Sequence, residues 1–195
     1  KGGKSIYRGE EVGEGGYVYA EPGLYHNAAL LDVYSMHPHS AIAEIIFGVH
    51  YTTRFRDIVE GRGDIKHEDW DAIKDILGGK LLKYAERVKN GELTSKDLAN
   101  GLKTAINAVY GQTYAGYENP FRDPRNIDNI VAKRGALFMV DLKHAVQERG
   151  FTVAHIKTDS IKIPDATPEI IDFVTKFGER YGYTFEHEAT YERMC

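Results

Sequence analysis

Cysteine is nearly missing. A single one, Cys195, stands at the last of 195 positions, which excludes a disulfide framework and a cysteine-rich zinc site. The default setting is therefore reducing and cytoplasmic. Long apolar runs are missing too: no stretch approaches the ~18 consecutive apolar residues of a membrane-crossing helix. The first residues lack the charged, apolar, then small order of a signal peptide. No membrane partner is expected. A basic excess is also absent, since 25 Lys and Arg face 29 Asp and Glu for a net charge of −4. Overall attraction does not hold a polyanion under that balance, so any such contact is local. An acidic excess suits a site that gathers carboxylates around divalent cations.

With 42% apolar residues, the chain is long enough to bury a core as one domain, or one domain with an inserted subdomain. Lys1 in place of Met, and a strand-like stretch that stops abruptly at the end, lead to the expectation of a piece of something longer. Residues 1–26 read as turns and short edge strands, including Glu14-Gly15-Gly16-Tyr17 and Pro22-Gly23-Leu24-Tyr25. Ala28–Val33 reads as a buried strand that delivers Asp32 near its end. Pro38 opens a new element, and Ile42, Ile45 and Ile46 predict a helix from Ser40 to Phe47, stopped by Gly48.

From about 51 to 117 the composition turns charged and helix-forming, with no strand-like run, which predicts a helical insertion. Within it, Leu98, Leu102, Ala105, Ile106, Val109 and Thr113 mark one side of a helical wheel. Lys103, Asn107 and Tyr110 fall within about 60° of one another on another side. A helix over 126–149 carries Ile127, Ile130, Val131, Phe138, Leu142 and Ala145 inward. A hairpin follows, with Lys157-Thr158-Asp159 at its tip, then a helix opened by Pro168 and a strand over 183–191. This order predicts an α+β fold: an antiparallel sheet backed by helices, with an inserted helical subdomain.

Two acids, Asp32 and Asp159, stand where strands meet turns. Taken singly, each reads as a turn former or helix cap. Taken with their neighbours they read differently. Asp32-Val33-Tyr34-Ser35-Met36-His37-Pro38 resembles motif A of family B DNA polymerases, Asp-x-x-Ser-Leu-Tyr-Pro-Ser. The run from Lys103 through Asn107 and Tyr110 to Gly111 resembles motif B, Lys-x-x-x-Asn-Ser-x-Tyr-Gly. Lys157-Thr158-Asp159-Ser160 resembles motif C, Asp-Thr-Asp-Ser. Three matches in order, on strand, helix and hairpin, form a specific signal.

The resemblance implies a palm in two parts, 1–50 with motif A and 118–195 with motif C, around helical fingers at 51–117. It implies Mg2+ or Mn2+ as a pair of ions about 3.5–4 Å apart, held by Asp32, Asp159 and the Val33 carbonyl. Asp32, Asp159 and Lys103 would carry the chemistry. Ser35, Met36, His37, Lys103, Asn107, Tyr110, Arg62 and Lys66 would meet the dNTP; Gly15, Gly16, Gly111 and Lys157 would meet a DNA primer-template. Other replication proteins, or the remaining polymerase domains, are the further partners implied. Each residue also has a plainer reading: Lys103 as a solvated lysine, Tyr110 as core packing, and Arg62 with Lys66 as a surface pair, because Gly61 and Gly63 disfavour a continuous helix.

The chain departs from the family pattern at named positions. His37 stands where the family has a tyrosine that excludes ribonucleotides, Ala108 replaces the serine of motif B, and Lys157 replaces the first acid of motif C. Lys157 reads either as a counter-charge to Asp159 that competes with metal or as a primer contact. Glu186 and Glu188 lie where the family carries an acid near the site, and also read as a solvated edge. The His37 and Lys157 wording resembles bacteriophage-encoded members, which places the protein in a host cytoplasm. No Asp-x-Glu triplet of a proofreading exonuclease occurs. The resemblance therefore implies a template-directed polymerase core without exonuclease or thumb; the alternative is a degenerate palm module that binds nucleic acid or a partner protein.

Overall fold

The structure is a computed structural model that describes residues 4–13, 15–126 and 128–195. Glu14 and Ile127, each part of an expectation above, lie outside the described residues. In chain order the elements are β1 (Ser5–Tyr7), β2 (Glu10–Val12), β3 (Val18–Ala20), β4 (Tyr25–Val33), α1 (Met36–Ala43), α2 (Gly48–Lys66), α3 (Leu82–Lys89), α4 (Ser95–Thr113), α5 (Ile130–Gln147), β5 (His155–Lys157), β6 (Ser160–Ile163), α6 (Pro168–Arg180) and β7 (Phe185–Met194). Short 3-10 turns lie at Ile76–Gly79 and Pro124–Asn126. The residues form two compact units, one of 1–40 with 128–195 and one of 41–127.

The first unit is built on a five-stranded antiparallel sheet in the order β3-β5-β6-β4-β7, with β1 and β2 as a separate hairpin. The alternation of β4, β5 and β6 turns Leu31, Val33, Ile156, Ile161 and Ile163 to one face, where all are buried against Met139, Leu142 and Val146 of α5 and Ile170 and Val174 of α6. Truncating such a residue, Ile161 for example, to alanine costs about 2–5 kcal/mol. Phe138 of α5 gathers Phe177, Tyr181, Tyr183 and Phe185 around it at ring-centroid distances of 5.8, 5.5, 4.6 and 6.1 Å. Thr167 caps α6 by accepting from the Ile170 amide, and Pro168 sits in the first turn, where its missing N–H costs nothing.

The second unit is helical. Thr94 and Asp97 form a capping box at the start of α4. α2 packs on α4, with Arg62 Nε donating to the Ala99 carbonyl at 3.2 Å. Ile65, Ile73, Leu81 and Ala99 form its core.

Several expectations need correction. The helix expected at 40–47 begins at Met36 instead, with Pro38 accommodated in its first turn. Gly48 does not stop a helix but opens α2, because left-handed φ values at Ile45 (51°) and Gly48 (70°) reverse the chain between the two helices. The carbonyls left there are met by Arg125, whose Nη2 donates to Ile45 and Ile46, each at 2.8 Å. Nor do Gly61 and Gly63 interrupt α2, which runs unbroken to Lys66. A Cβ at Gly61 would overlap Ile76, so close packing explains that glycine. The strand around Asp32 is longer than read, starting at Tyr25. Among the described residues no helix is long and apolar enough to cross a membrane.

Candidate active site

Because one face of the sheet packs on helices, the alternate residues of the same strands point to the other face. The register aligns one cross-strand row there, Val18–Lys157–Ser160–Asp32–Glu186, running through β3, β5, β6, β4 and β7 in turn. Neighbouring strands lie about 4.8 Å apart. Asp32 thus has Ser160 on one side and Glu186 on the other, with Lys157 two strands away.

Asp159 comes to the same end of that face. The turn of the β5–β6 hairpin is Thr158-Asp159, so Lys157 ends the strand and is not part of the tip. The Val33 amide donates to the Asp159 carbonyl at 2.8 Å, which ties the residue after the first acid to the second acid. Thr158 has φ 54°, and the Asp159 amide donates to the Lys157 carbonyl at 2.7 Å across it. A positive φ combined with such a bond describes a γ-turn of the rare, strained kind. A β-branched residue there is an outlier, and strain of this sort persists where surrounding structure over-determines it.

The over-determining contacts come from the Gly15-Gly16 segment. The Thr158 amide donates to the Tyr17 carbonyl at 2.9 Å. Gly16 has φ 132°, and a Cβ on it would stand 3.0 Å from the Thr158 methyl carbon. A side chain at position 16 would therefore be strained by the backbone and crowded by the turn.

The loop after Asp32 is fixed as firmly. The Tyr34 amide donates to the Thr184 carbonyl at 2.9 Å, and Ser35 takes φ 51° before α1 begins. Met36 is buried. Arg134 Nη1 donates to the Tyr183 hydroxyl at 2.6 Å, and that hydroxyl shares a hydrogen bond with the buried Ser40 Oγ, also at 2.6 Å. His37 is half-buried; burial lowers its pKa, and the charge of Asp159 works in the opposite direction.

Lys157 is exposed, and no ion pair joins it to Asp159 among the described residues. The reading of Lys157 as a counter-charge to Asp159 is therefore corrected. Its charge, after burial and after that of Lys162, helps hold His155 below the ordinary imidazole pKa. Lys157, His155 and Lys162 share the open face by alternation and register. Lys162 is a site neighbour that the motifs do not include, and period-2 alternation from the buried Ile161 and Ile163 places it on this face beside His155.

The other candidate residues lie in the helical unit. On α4, Lys103 and Asn107 are exposed, but Tyr110 is buried with Ala99, Ile106 and Thr113. The shared face expected for Lys103, Asn107 and Tyr110 is thus split. Tyr110 falls at the wheel position next to Ile106, and burial of an aromatic ring outweighs its exposure. Its carbonyl accepts from Thr113 Oγ1 at 2.6 Å, and Thr113 Oγ1 accepts from the Asn126 amide group at 2.6 Å. Ala105, expected inside, is exposed. Gly111 has open space where a side chain would go. On the continuous α2, Arg62 is half-buried and Lys66 exposed, one turn apart.

The acids of the sheet offer oxygen donors only, the chemistry that hard cations such as Mg2+ and Mn2+ select. Among the described residues no group of three or more His, Cys, Asp or Glu gathers as a metal cage. Glu186, although in register with Asp32, does not complete one. Magnesium keeps several waters and needs few protein ligands, so Asp32 and Asp159 fit it as a pair.

No family model and no curated protein matches the chain. Its fold is similar to that of the family B DNA polymerase from the hyperthermophilic archaeon Pyrobaculum calidifontis, with a TM-score of 0.56 and 17% identity over 89% of this chain. The match takes in 25% of that polymerase, so the chain spans about a quarter of its length. At that identity the likeness is one of fold: an α+β arrangement with a five-stranded antiparallel sheet and six helices.

Proposed function

We propose that the chain is the palm and fingers portion of a template-directed DNA polymerase of the family B kind. The observation that carries this reading is the bond from the Val33 amide to the Asp159 carbonyl, which brings the strand end that bears Asp32 to the hairpin turn that bears Asp159. The fold likeness and the order of the three motifs support it.

In this reading Asp32 and Asp159, with the Val33 carbonyl, hold the divalent ions. Bound there, Mg2+ or Mn2+ would lower the pKa of the primer 3′-hydroxyl and neutralise charge on the triphosphate. The 3′-hydroxyl gives its proton to solvent water, its oxygen bonds to the α-phosphorus, the bond from that phosphorus to the bridging oxygen breaks, and pyrophosphate leaves with the electron pair. The proteins of such reactions work by positioning and charge. Lys103, and Arg62 with Lys66, meet the phosphates. Ser35, Met36 and His37 lie under the sugar, with the imidazole neutral at pH 7. On α4, Asn107 meets the nucleotide by its place in the motif, and Tyr110 packs inside the helical unit. Gly16 braces the Thr158-Asp159 turn, Gly15 and Gly16 lie beside the template strand, Gly111 leaves room for DNA, and Lys157 contacts the primer backbone. The motif wording points to a bacteriophage source, and so to action in a host cytoplasm.

A second reading, a palm module that binds nucleic acid without catalysis, draws on Lys157 standing in the row of Asp32 where the family has an acid. Primer extension separates the two. The full polypeptide that carries this segment is given a primed template, the four dNTPs, and Mg2+ or Mn2+. Extension that vanishes in Asp159→Asn supports the polymerase; DNA binding without extension in either metal supports the binding module.

A further inference from the structure

The helical unit holds a cavity of about 820 Å3 whose lining includes none of the residues assigned above to metal, nucleotide or DNA; of the three motifs only Val109 reaches it. Its walls include Phe47, Phe55, Tyr51 and Phe121. Phe47 and Phe55 pack as a tilted pair at 5.0 Å, which fixes the floor. The other two rings are not packed away: Tyr51 is 65% and Phe121 40% exposed. Exposed aromatic rings around a concave site mark a binding surface more often than an accident of packing.

The charge of the lining is one-sided, with Arg54, Arg122 and Arg125 against Asp123 alone. Arg125 is committed to Asp123 and to the main-chain carbonyls of Ile45 and Ile46. The remaining arginines differ. Arg54 is exposed and makes no ion pair among the described residues. Arg122 pairs with Glu118, whose side chain is 90% exposed, and a pair so open to water is readily exchanged for another anion. Two exchangeable guanidinium groups beside two open rings meet the requirements of an unpaired polynucleotide: bases that stack and phosphates that pair. A purely apolar partner would leave those arginines uncompensated.

We infer that this cavity binds single-stranded nucleic acid, its bases stacked on Tyr51 and Phe121 and its phosphates on Arg54 and Arg122. The inference rests on the nucleic-acid part of the reading above and not on its catalysis. Fluorescence anisotropy of a labelled oligothymidylate over a range of salt tests it. The proteins compared are the wild type, Tyr51→Ala/Phe121→Ala, Arg54→Ala/Arg122→Ala and Lys176→Ala, with circular dichroism to verify folding.

Each cavity variant is expected to bind at least about fivefold more weakly. The arginine variant alone also loses about 1.4 from the salt slope. Lys176→Ala, which removes an exposed cation of α6 outside the cavity lining, binds as the wild type does, and Tyr51→Phe/Phe121→Trp, which keeps two rings, restores binding. Wild-type protein that does not bind, or cavity variants within twofold of it, overturn the inference. So does a wild-type dimer that dissociates in Tyr51→Ala/Phe121→Ala, because the occupant is then a second copy. Oligonucleotide binding without primer extension upholds the cavity and removes the polymerase; extension without cavity-dependent binding does the reverse.

Discussion

Val33 donates its amide to the carbonyl of Asp159 at 2.8 Å, so the residue that follows one acid is held by the backbone of the other. The strand that bears Asp32 and the hairpin that bears Asp159 are in this way joined through main chain. Such backbone bonds survive substitution of either side chain, so the two acids are separable by mutation without loss of the fold.

Gly16 is the first test of how the hairpin tip is held. Gly16→Ala places a methyl carbon 3.0 Å from the Thr158 side chain at a backbone φ of 132°. A destabilisation of about 1–3 kcal/mol is expected, measured by urea denaturation, together with slower primer extension. A variant as stable and active as the wild type would mean that the glycine does not brace the turn.

The buried cation of α5, Lys143, which pairs with Glu10 of β2, provides a pH prediction. Lys143 is 3% exposed and ion-paired with Glu10, which also accepts from the Tyr17 hydroxyl at 2.8 Å. Burial acts to raise the Glu10 pKa, but the hydrogen bonds from Lys143 and Tyr17 and the lysine charge outweigh it and hold the carboxyl below its ordinary range. A depressed carboxyl contributes stability that is present above its unfolded pKa and lost as pH falls through the folded one. Stability should therefore decline below about pH 4.3 in wild type, and that part of the decline should be missing in Glu10→Gln/Lys143→Met. Glu10→Ala alone strands the lysine and should cost about 3 kcal/mol at pH 7, whereas the double variant recovers most of it. Equal losses in the two would refute a paired, buried charge.

Lys157, exposed on the open face, is expected to act on DNA through phosphate. Lys157→Ala should weaken duplex binding uniformly across sequences and lower the slope of log K against log salt by about 0.9. An unchanged slope would remove it from the interface.

His37 is assigned to the sugar of the incoming nucleotide. His37→Ala should raise ribonucleotide incorporation relative to deoxyribonucleotide by at least about tenfold, and His37→Tyr should lower it, since bulk at that place sets the discrimination. Discrimination that moves in neither variant would place the sugar elsewhere.

Much of this arrangement was legible in the chain itself. The apolar alternation on either side of Asp32 and Asp159 predicts two strands with acids at their ends, and the register bears out that layout. Gly150 and Gly182 mark the ends of helices as expected. The sidedness of α4 was not legible, because Tyr110 lies between the apolar and polar sectors of the wheel and only a packing partner decides which it joins. Gly61 misled for a related reason: local propensity reads it as a helix breaker, while its contact with Ile76 makes it a packing residue. The strained Thr158 turn runs against every local preference of a β-branched residue, so nothing in the sequence foretold its geometry.

The most direct test of the central claim is single-nucleotide incorporation into a primed template by Asp32→Asn, Asp159→Asn and the double variant. Residues that act as one unit are not additive. Each single substitution is predicted to abolish incorporation of the complementary nucleotide by about a thousandfold or more, and the double to be no worse than either. A single variant that keeps a tenth of the wild-type rate, or losses that multiply in the double, would contradict a shared catalytic site.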